Sequence, residues 1–167
     1  MGGPPPTRHV IPPALGRRGG GWVLLQSALS PVFVVCYAFG PHWPEGGRFW
    51  LRVAGIVLIA AGLGIVILSR ITLGSSFTPF PHPRDRSTLR TTGIYAHARH
   101  PVYGGLLIAG LGLSFVRTPL VLAPLTALVI VFGLKSIREE AWLTARYPEY
   151  PAYRAATPRR FFPRLRP

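Results

Sequence analysis

The sequence predicts an all-α fold, a polytopic membrane helix bundle with about four transmembrane helices, a cytoplasmic loop and a C-terminal helical segment. Three observations carry this. Hydrophobic residues make up 49% of the 167 residues and charged ones only 14%, with a mean hydropathy of +0.32, where soluble domains hold about 25% charged residues. The apolar residues gather into four runs almost without the polar stripe that a helix of a soluble bundle shows. The chain is also strongly basic, with a net charge of +14 from 19 Lys plus Arg against 5 Asp plus Glu. That combination belongs to membrane spans joined by basic loops, which face the cytoplasm and attract anionic headgroups. Nucleic-acid binding would use the charge but leave the apolar runs without a purpose.

Residues 1–21, "MGGPPPTRHVIPPALGRRGGG", hold too many prolines and glycines to pack and read as a flexible basic leader. Residues 22–167 form the membrane domain. Its first span covers about 22–39, too long for a signal peptide and followed by no small-residue cleavage site. Pro31 is an expected kink within it. Cys36, the one cysteine, lies in the same run, so no intramolecular disulfide and no cysteine-based metal cluster can form. The second span covers about 49–69, with Arg52 near enough to one end to snorkel.

The third span, about 102–116, is short of the roughly 20 residues needed to cross, so it should begin within the polar motif that precedes it. The fourth, about 119–134, opens on Pro119, which suits a first helical turn, and "RTP" at 117–119 makes the hairpin turn. Beyond it the sequence has no strong break up to Arg146 apart from Pro124. At about 1.5 Å per residue such a helix is roughly 40 Å long against about 30 Å of hydrocarbon, so it should project from the membrane carrying Glu139 and Glu140. Small residues at Gly55, Ala60, Ala61, Gly62 and Gly64, and at Gly104, Gly105, Ala109, Gly110 and Gly112, allow close helix packing.

Charge sets the expected topology. With four spans, one side holds three arginines of the leader, five of the 70–101 loop and eight basic residues after 134; the other holds Arg48, Arg52 and Arg117. Sixteen against three places both termini in the cytoplasm, for a protein of the bacterial inner membrane. Segments 70–101 and 135–163 then share one face and can build one site.

That face carries "GIYAHARHPVYGG", residues 93–105, an unusually polar entry into an apolar run. Arg99, His100 and Tyr103 should reach the depth of Glu139 and Glu140, a convergence of polar groups beside an apolar cavity. The simpler reading of the acids is helix pairing, since Lys135 sits four residues before Glu139; that of His100 is a helix entry before Pro101. His97 and His100 lie three apart but lack a third ligand at metal spacing. No Ser-His-Asp set, phosphate-binding glycine loop or Rossmann fingerprint is present.

Taken together, "TTGIYAHARHPVYGG", a hydrophobic hairpin and "REEAWLTARYPEYPAYRAATPRRFFP" resemble the isoprenylcysteine carboxyl methyltransferase and phospholipid N-methyltransferase group of integral membrane enzymes. The resemblance covers roughly residues 72–163, including "LGSSFTPFP". It implies a methyltransferase that uses S-adenosylmethionine without a Rossmann domain, the cofactor being enclosed by the last two membrane helices, the preceding loop and the C-terminal segment. By position, His100, Tyr103 and Glu139 or Glu140 would hold the methionine end, and Leu89, Gly93 and Tyr95 would line the nucleoside side. Its ammonium suits a Glu acceptor and its carboxylate suits His, Tyr or backbone donors.

An acceptor ionised at neutral pH needs no base, and Arg99 or Arg138 would position it. A protonated amine would first lose a proton, with Glu139, Glu140 or a tyrosine assisting. The acceptor should be lipophilic and enter sideways from the bilayer, with membrane lipids as the other partners and neither metal nor nucleic acid required. Membrane sterol and enone reductases, which use NADPH, carry a similar His-Pro-x-Tyr entry but usually Asn where Val102 stands. A non-catalytic basic scaffold anchored by "RRFFPRLR" is the alternative from another class.

Overall fold

The computed structural model describes residues 11–83 and 87–162. Five α-helices follow one another: α1 (Gly20–Phe39), α2 (Arg48–Leu73), α3 (Pro101–Val116), α4 (Leu122–Arg146) and α5 (Tyr150–Ala156). Short 3-10 turns stand at Gly74–Ser76, Gly93–Ala96 and Pro119–Val121. The readings placed on Arg8, Arg84, Arg86, Arg164 and Arg166 lie outside the described residues.

Three stretches are long and apolar enough to cross a membrane: Gly20–Phe39, Arg48–Ser76 and Pro119–Arg146. The fourth, Pro101–Val116, is shorter; its 16 residues span only about 24 Å at the usual rise. Its limits have local causes. Pro101 occupies the first turn, where a missing N–H costs nothing. At the other end Thr118 turns out of the helix and accepts a hydrogen bond from the Leu120 N–H. Pro119 and Pro124 both stand at the entry to α4, where proline is tolerated. By contrast, α1 runs continuously through Pro31.

Helices α2 and α3 form the closest pair, and glycine is the reason. A Cβ on Gly62 would lie 2.5 Å from the Gly105 carbonyl oxygen, and one on Gly112 would lie 2.5 Å from that of Gly55. Both helices therefore meet at glycines two turns apart, and the backbones touch without side chains between them. Gly62→Ala would press a methyl group on backbone, which cannot swing aside. We expect it to cost about 1–3 kcal/mol of stability, read as a lower unfolding midpoint in detergent.

Helix α1 packs more loosely, mainly against α4. Leu24, Val34 and Phe39 are exposed on it and Phe49, Trp50 and Ile56 on α2, as lipid-facing residues would be. At the end far from the polar motif, Arg117 donates to the carbonyls of Tyr37 and Ala38, so the last turn of α1 is satisfied by the α3–α4 hairpin. The buried core of Leu107, Leu125 and Phe132, with Phe33, Tyr103 and Phe161 against it, joins α3, α4 and the C-terminal segment. It lies directly beneath the polar motif.

Candidate active site

The entry to α3 is built by two segments far apart in sequence. Gly93, at φ 59, opens the 3-10 turn, a backbone conformation that glycine adopts without strain. The chain then passes through Arg99 and His100, whose N–H groups donate to the carbonyls of Arg159 (3.0 Å) and Arg160 (2.7 Å). Gly104 lets the C-terminal segment lie close, because a side chain there would strike the Phe161 carbonyl. Tyr153 from α5 adds a hydrogen bond of 2.7 Å to the carbonyl of Tyr95. Burial pushes the Tyr153 hydroxyl up to about 12, with the Arg99 charge pulling partly the other way.

Glu140 is the hub where these two segments meet. Its residue is only 4% exposed, and one carboxylate oxygen accepts from Arg99 Nε at 2.9 Å and faces His100 Nε2 at 3.1 Å. Arg154 and Arg160 each approach within 3.6 Å. Arg99 also donates to the carbonyl of Thr157 at 2.6 Å, so one guanidinium joins α4 to the C-terminal segment. Carboxylate–guanidinium contacts of this kind fix geometry as well as energy.

Glu139, one residue earlier, faces a different way. It accepts from the Tyr103 hydroxyl at 2.8 Å, and His100 Nδ1 stands 3.7 Å from the same oxygen. The rings of His100 and Tyr103 stack with centroids 5.6 Å apart, and Tyr103 in turn stacks on Phe132 at 4.6 Å. This column holds the Tyr103 hydroxyl in place for Glu139.

A cavity opens on this column, between the motif, the loop after α2, α4 and α5. Leu89, Tyr95, Arg99, His100, Tyr103 and Glu139 line it. The other three residues singled out in the sequence stand apart from its lining. Glu140 lies behind the wall, Gly93 is exposed at its turn, and Arg138 lays its guanidinium over Trp142 at 4.4 Å. Among the described residues, no three His, Cys, Asp or Glu side chains gather as a metal site.

Two cavity residues were not singled out for this role. Lys135, the single lysine of the chain, is 1% exposed. Its ammonium donates to the Gln26 side-chain carbonyl at 2.8 Å and the Pro79 backbone carbonyl at 2.9 Å, with the Tyr103 ring 5.2 Å away. Among the described residues no carboxylate pairs with it within 4 Å, so the Lys135–Glu139 helix pair that the spacing allowed is not formed. The second is Tyr150, fully buried, whose hydroxyl has no hydrogen-bond partner among the described residues. A lone lysine among nineteen basic residues was a signal the sequence offered for the first. The Tyr-x-x-Tyr spacing was the signal for the second.

Known proteins resemble this chain in sequence. The phospholipid methyltransferase family profile matches residues 50–150. A probable protein-S-isoprenylcysteine O-methyltransferase of Oryza sativa subsp. indica is 32% identical over 160 residues, covering 88% of this chain and 84% of the rice protein. Nickel-cobalt-cadmium resistance protein NccN of Alcaligenes xylosoxydans xylosoxydans is 33% identical over 161 residues, 95% of this chain and 67% of its own. Protein-S-isoprenylcysteine O-methyltransferase of Rattus norvegicus is 34% identical over 73 residues, 42% of this chain and 26% of the rat protein. Together with the helical bundle, these matches define an integral membrane methyltransferase. The chain belongs to the phospholipid methyltransferase and protein-S-isoprenylcysteine O-methyltransferase family.

Proposed function

We propose that this protein transfers a methyl group from S-adenosylmethionine to a carboxylate carried by a lipophilic acceptor. The observation that carries the choice of acceptor is Lys135, a buried cation in the cavity wall whose ammonium donates to two neutral oxygens and has no carboxylate within 4 Å among the described residues. A buried charge is costly unless it is paired, and an anionic acceptor supplies the missing counter-charge. An amine acceptor would put two cations together. The name of the rice relative, a probable isoprenylcysteine O-methyltransferase, agrees with an oxygen acceptor.

The residues present fit the cofactor. Glu139 lines the cavity and suits its ammonium, the buried Tyr150 hydroxyl is an unused polar group in the same wall, and Leu89 and Tyr95 offer surface for the nucleoside. When bound, S-adenosylmethionine supplies a methyl group on an electrophilic sulfonium. The chain has then to align and to exclude water, which together can lower such a barrier by several kcal/mol. Phe77, Phe80 and Pro81 close the cavity on the loop side.

A carboxylate is already ionised at neutral pH, so Glu139 has no proton to remove and serves as a binding group. Lys135 takes the anion-positioning part that the sequence offered to Arg99 or Arg138. Arg99 is held by Glu140 and Thr157, and Arg138 lies on Trp142. The basic excess on the side of the site supports its placement at the cytoplasmic face of a bacterial inner membrane, with the acceptor arriving from the bilayer.

The test is transfer of labelled methyl from S-adenosylmethionine by the purified, detergent-solubilised protein to a long-chain carboxylate and to an amine of equal chain length. Label should appear on the carboxylate, as a base-labile ester. Label on the amine alone, or titration calorimetry that finds NADPH binding instead of S-adenosylmethionine, would overturn the reading. Glu139→Gln should weaken cofactor binding about tenfold or more in the same calorimeter, since it removes a charged acceptor.

A further inference from the structure

Tyr150 carries a buried hydroxyl that the packing of the described residues leaves without a partner. It is 1% exposed, starts α5, and its ring meets that of Tyr153 edge-on at 5.8 Å. Tyr153 uses its hydroxyl to bind the carbonyl of Tyr95. Tyr150 does not: its hydroxyl has no partner among the described residues, although the residue lines the cavity. Buried hydroxyls are nearly always satisfied, and one that is not usually marks a ligand or a role.

Its surroundings indicate which ligand group it meets. Behind Tyr150 the Glu140 carboxylate is approached by three guanidinium groups, from Arg99, Arg154 and Arg160. Three guanidinium groups against one carboxylate leave this cluster with an excess of positive charge, while Glu139, which lines the same cavity, is engaged with the Tyr103 hydroxyl. Burial first, and then the charge of Glu140, push the Tyr150 hydroxyl well above the ordinary phenol range. It remains a donor at any working pH, as an anion requires.

Resting on the proposed use of S-adenosylmethionine, we infer that the Tyr150 hydroxyl donates a hydrogen bond to the carboxylate of the cofactor's amino-acid end, while Glu139 accepts from its ammonium. The zwitterion is thereby oriented by two residues from two different helices. Tyr150 is a binding residue, idle in the free protein and used only in the complex.

This division of labour has an uncommon signature. Tyr150→Phe removes an oxygen with no partner in the free protein, so the unfolding midpoint in detergent should stay level or rise. Binding should nevertheless weaken. By titration calorimetry the wild type should bind S-adenosylmethionine about tenfold more tightly than its decarboxylated analogue. Tyr150→Phe should lose about tenfold for the first and little for the second. Tyr153→Phe, which breaks the bond to Tyr95, should behave in the opposite way, with a lower midpoint and a nearly unchanged ratio of the two affinities.

Equal loss for both ligands, no loss for either, or a Tyr150→Phe protein that unfolds earlier than wild type would each overturn the inference. A folded wild type that binds neither ligand would overturn the cofactor reading and this inference with it. Wild-type binding left untouched by Tyr150→Phe would overturn only this one.

Discussion

Replacing Glu140 with alanine should destabilise the protein by about 3–5 kcal/mol, the cost of stranding buried charge when one partner of a pair is removed, and should abolish methyl transfer. Arg99 is itself buried, and without Glu140 its Nε keeps no acceptor. His100 loses the oxygen 3.1 Å from Nε2, and Arg154 and Arg160 lose the charge that draws them towards α4. The segment through Arg159 and Arg160 would then lose its side-chain ties to Glu140 and keep its two backbone hydrogen bonds, the Arg99 bond to Thr157 and the packing of Phe161. Denaturant unfolding in detergent reads the first effect and labelled-methyl transfer the second. Glu140→Gln keeps the acceptor and loses only the charge, so it should fall between alanine and wild type. A Glu140→Ala protein as stable as wild type would show that the network holds nothing together.

Lys135→Met should leave the protein as stable as wild type, or more so, and reduce methyl transfer to a carboxylate acceptor about a hundredfold or more. Methionine has nearly the volume of the lysine stem and carries no charge to bury, so the desolvation cost in the free protein disappears. The two bonds to Gln26 and Pro79 are lost with it, and a partial offset is expected. With an anionic acceptor bound, the missing counter-charge should cost about 2–5 kcal/mol, and each 1.4 kcal/mol is tenfold. The loss should appear for the carboxylate and not for an uncharged acceptor of the same chain length. Lys135→Arg should restore part of the activity. Undiminished transfer to the carboxylate in Lys135→Met would remove the basis for choosing an anionic acceptor.

The spans were legible because a bilayer demands long apolar runs, and Pro101 and Pro119 marked helix starts. The polar motif was legible because polar residues at the mouth of an apolar helix are rare. Glu139 and Glu140 could not be told apart in sequence, since adjacent helix positions point about 100° apart and only packing decides which meets Tyr103 and which meets Arg99. Lys135 escaped because its partners lie 109 and 56 residues away, while its one visible neighbour at helix spacing, Glu139, is engaged with Tyr103. Arg154, Arg160 and Thr157 escaped for the same reason. Their meeting with Glu140 follows from the return of the C-terminal segment to the motif, and no periodicity encodes that return.

That return also bears on how the protein is made. Residues 157–162 leave the ribosome after all four apolar helices, yet the carbonyls of Arg159 and Arg160 hold the N–H groups of Arg99 and His100. A nascent chain can thus enter the bilayer and pack α2 on α3 through their glycines while its site is still open. The arginine network around Glu140 is completed only after the helices that carry the site have been made.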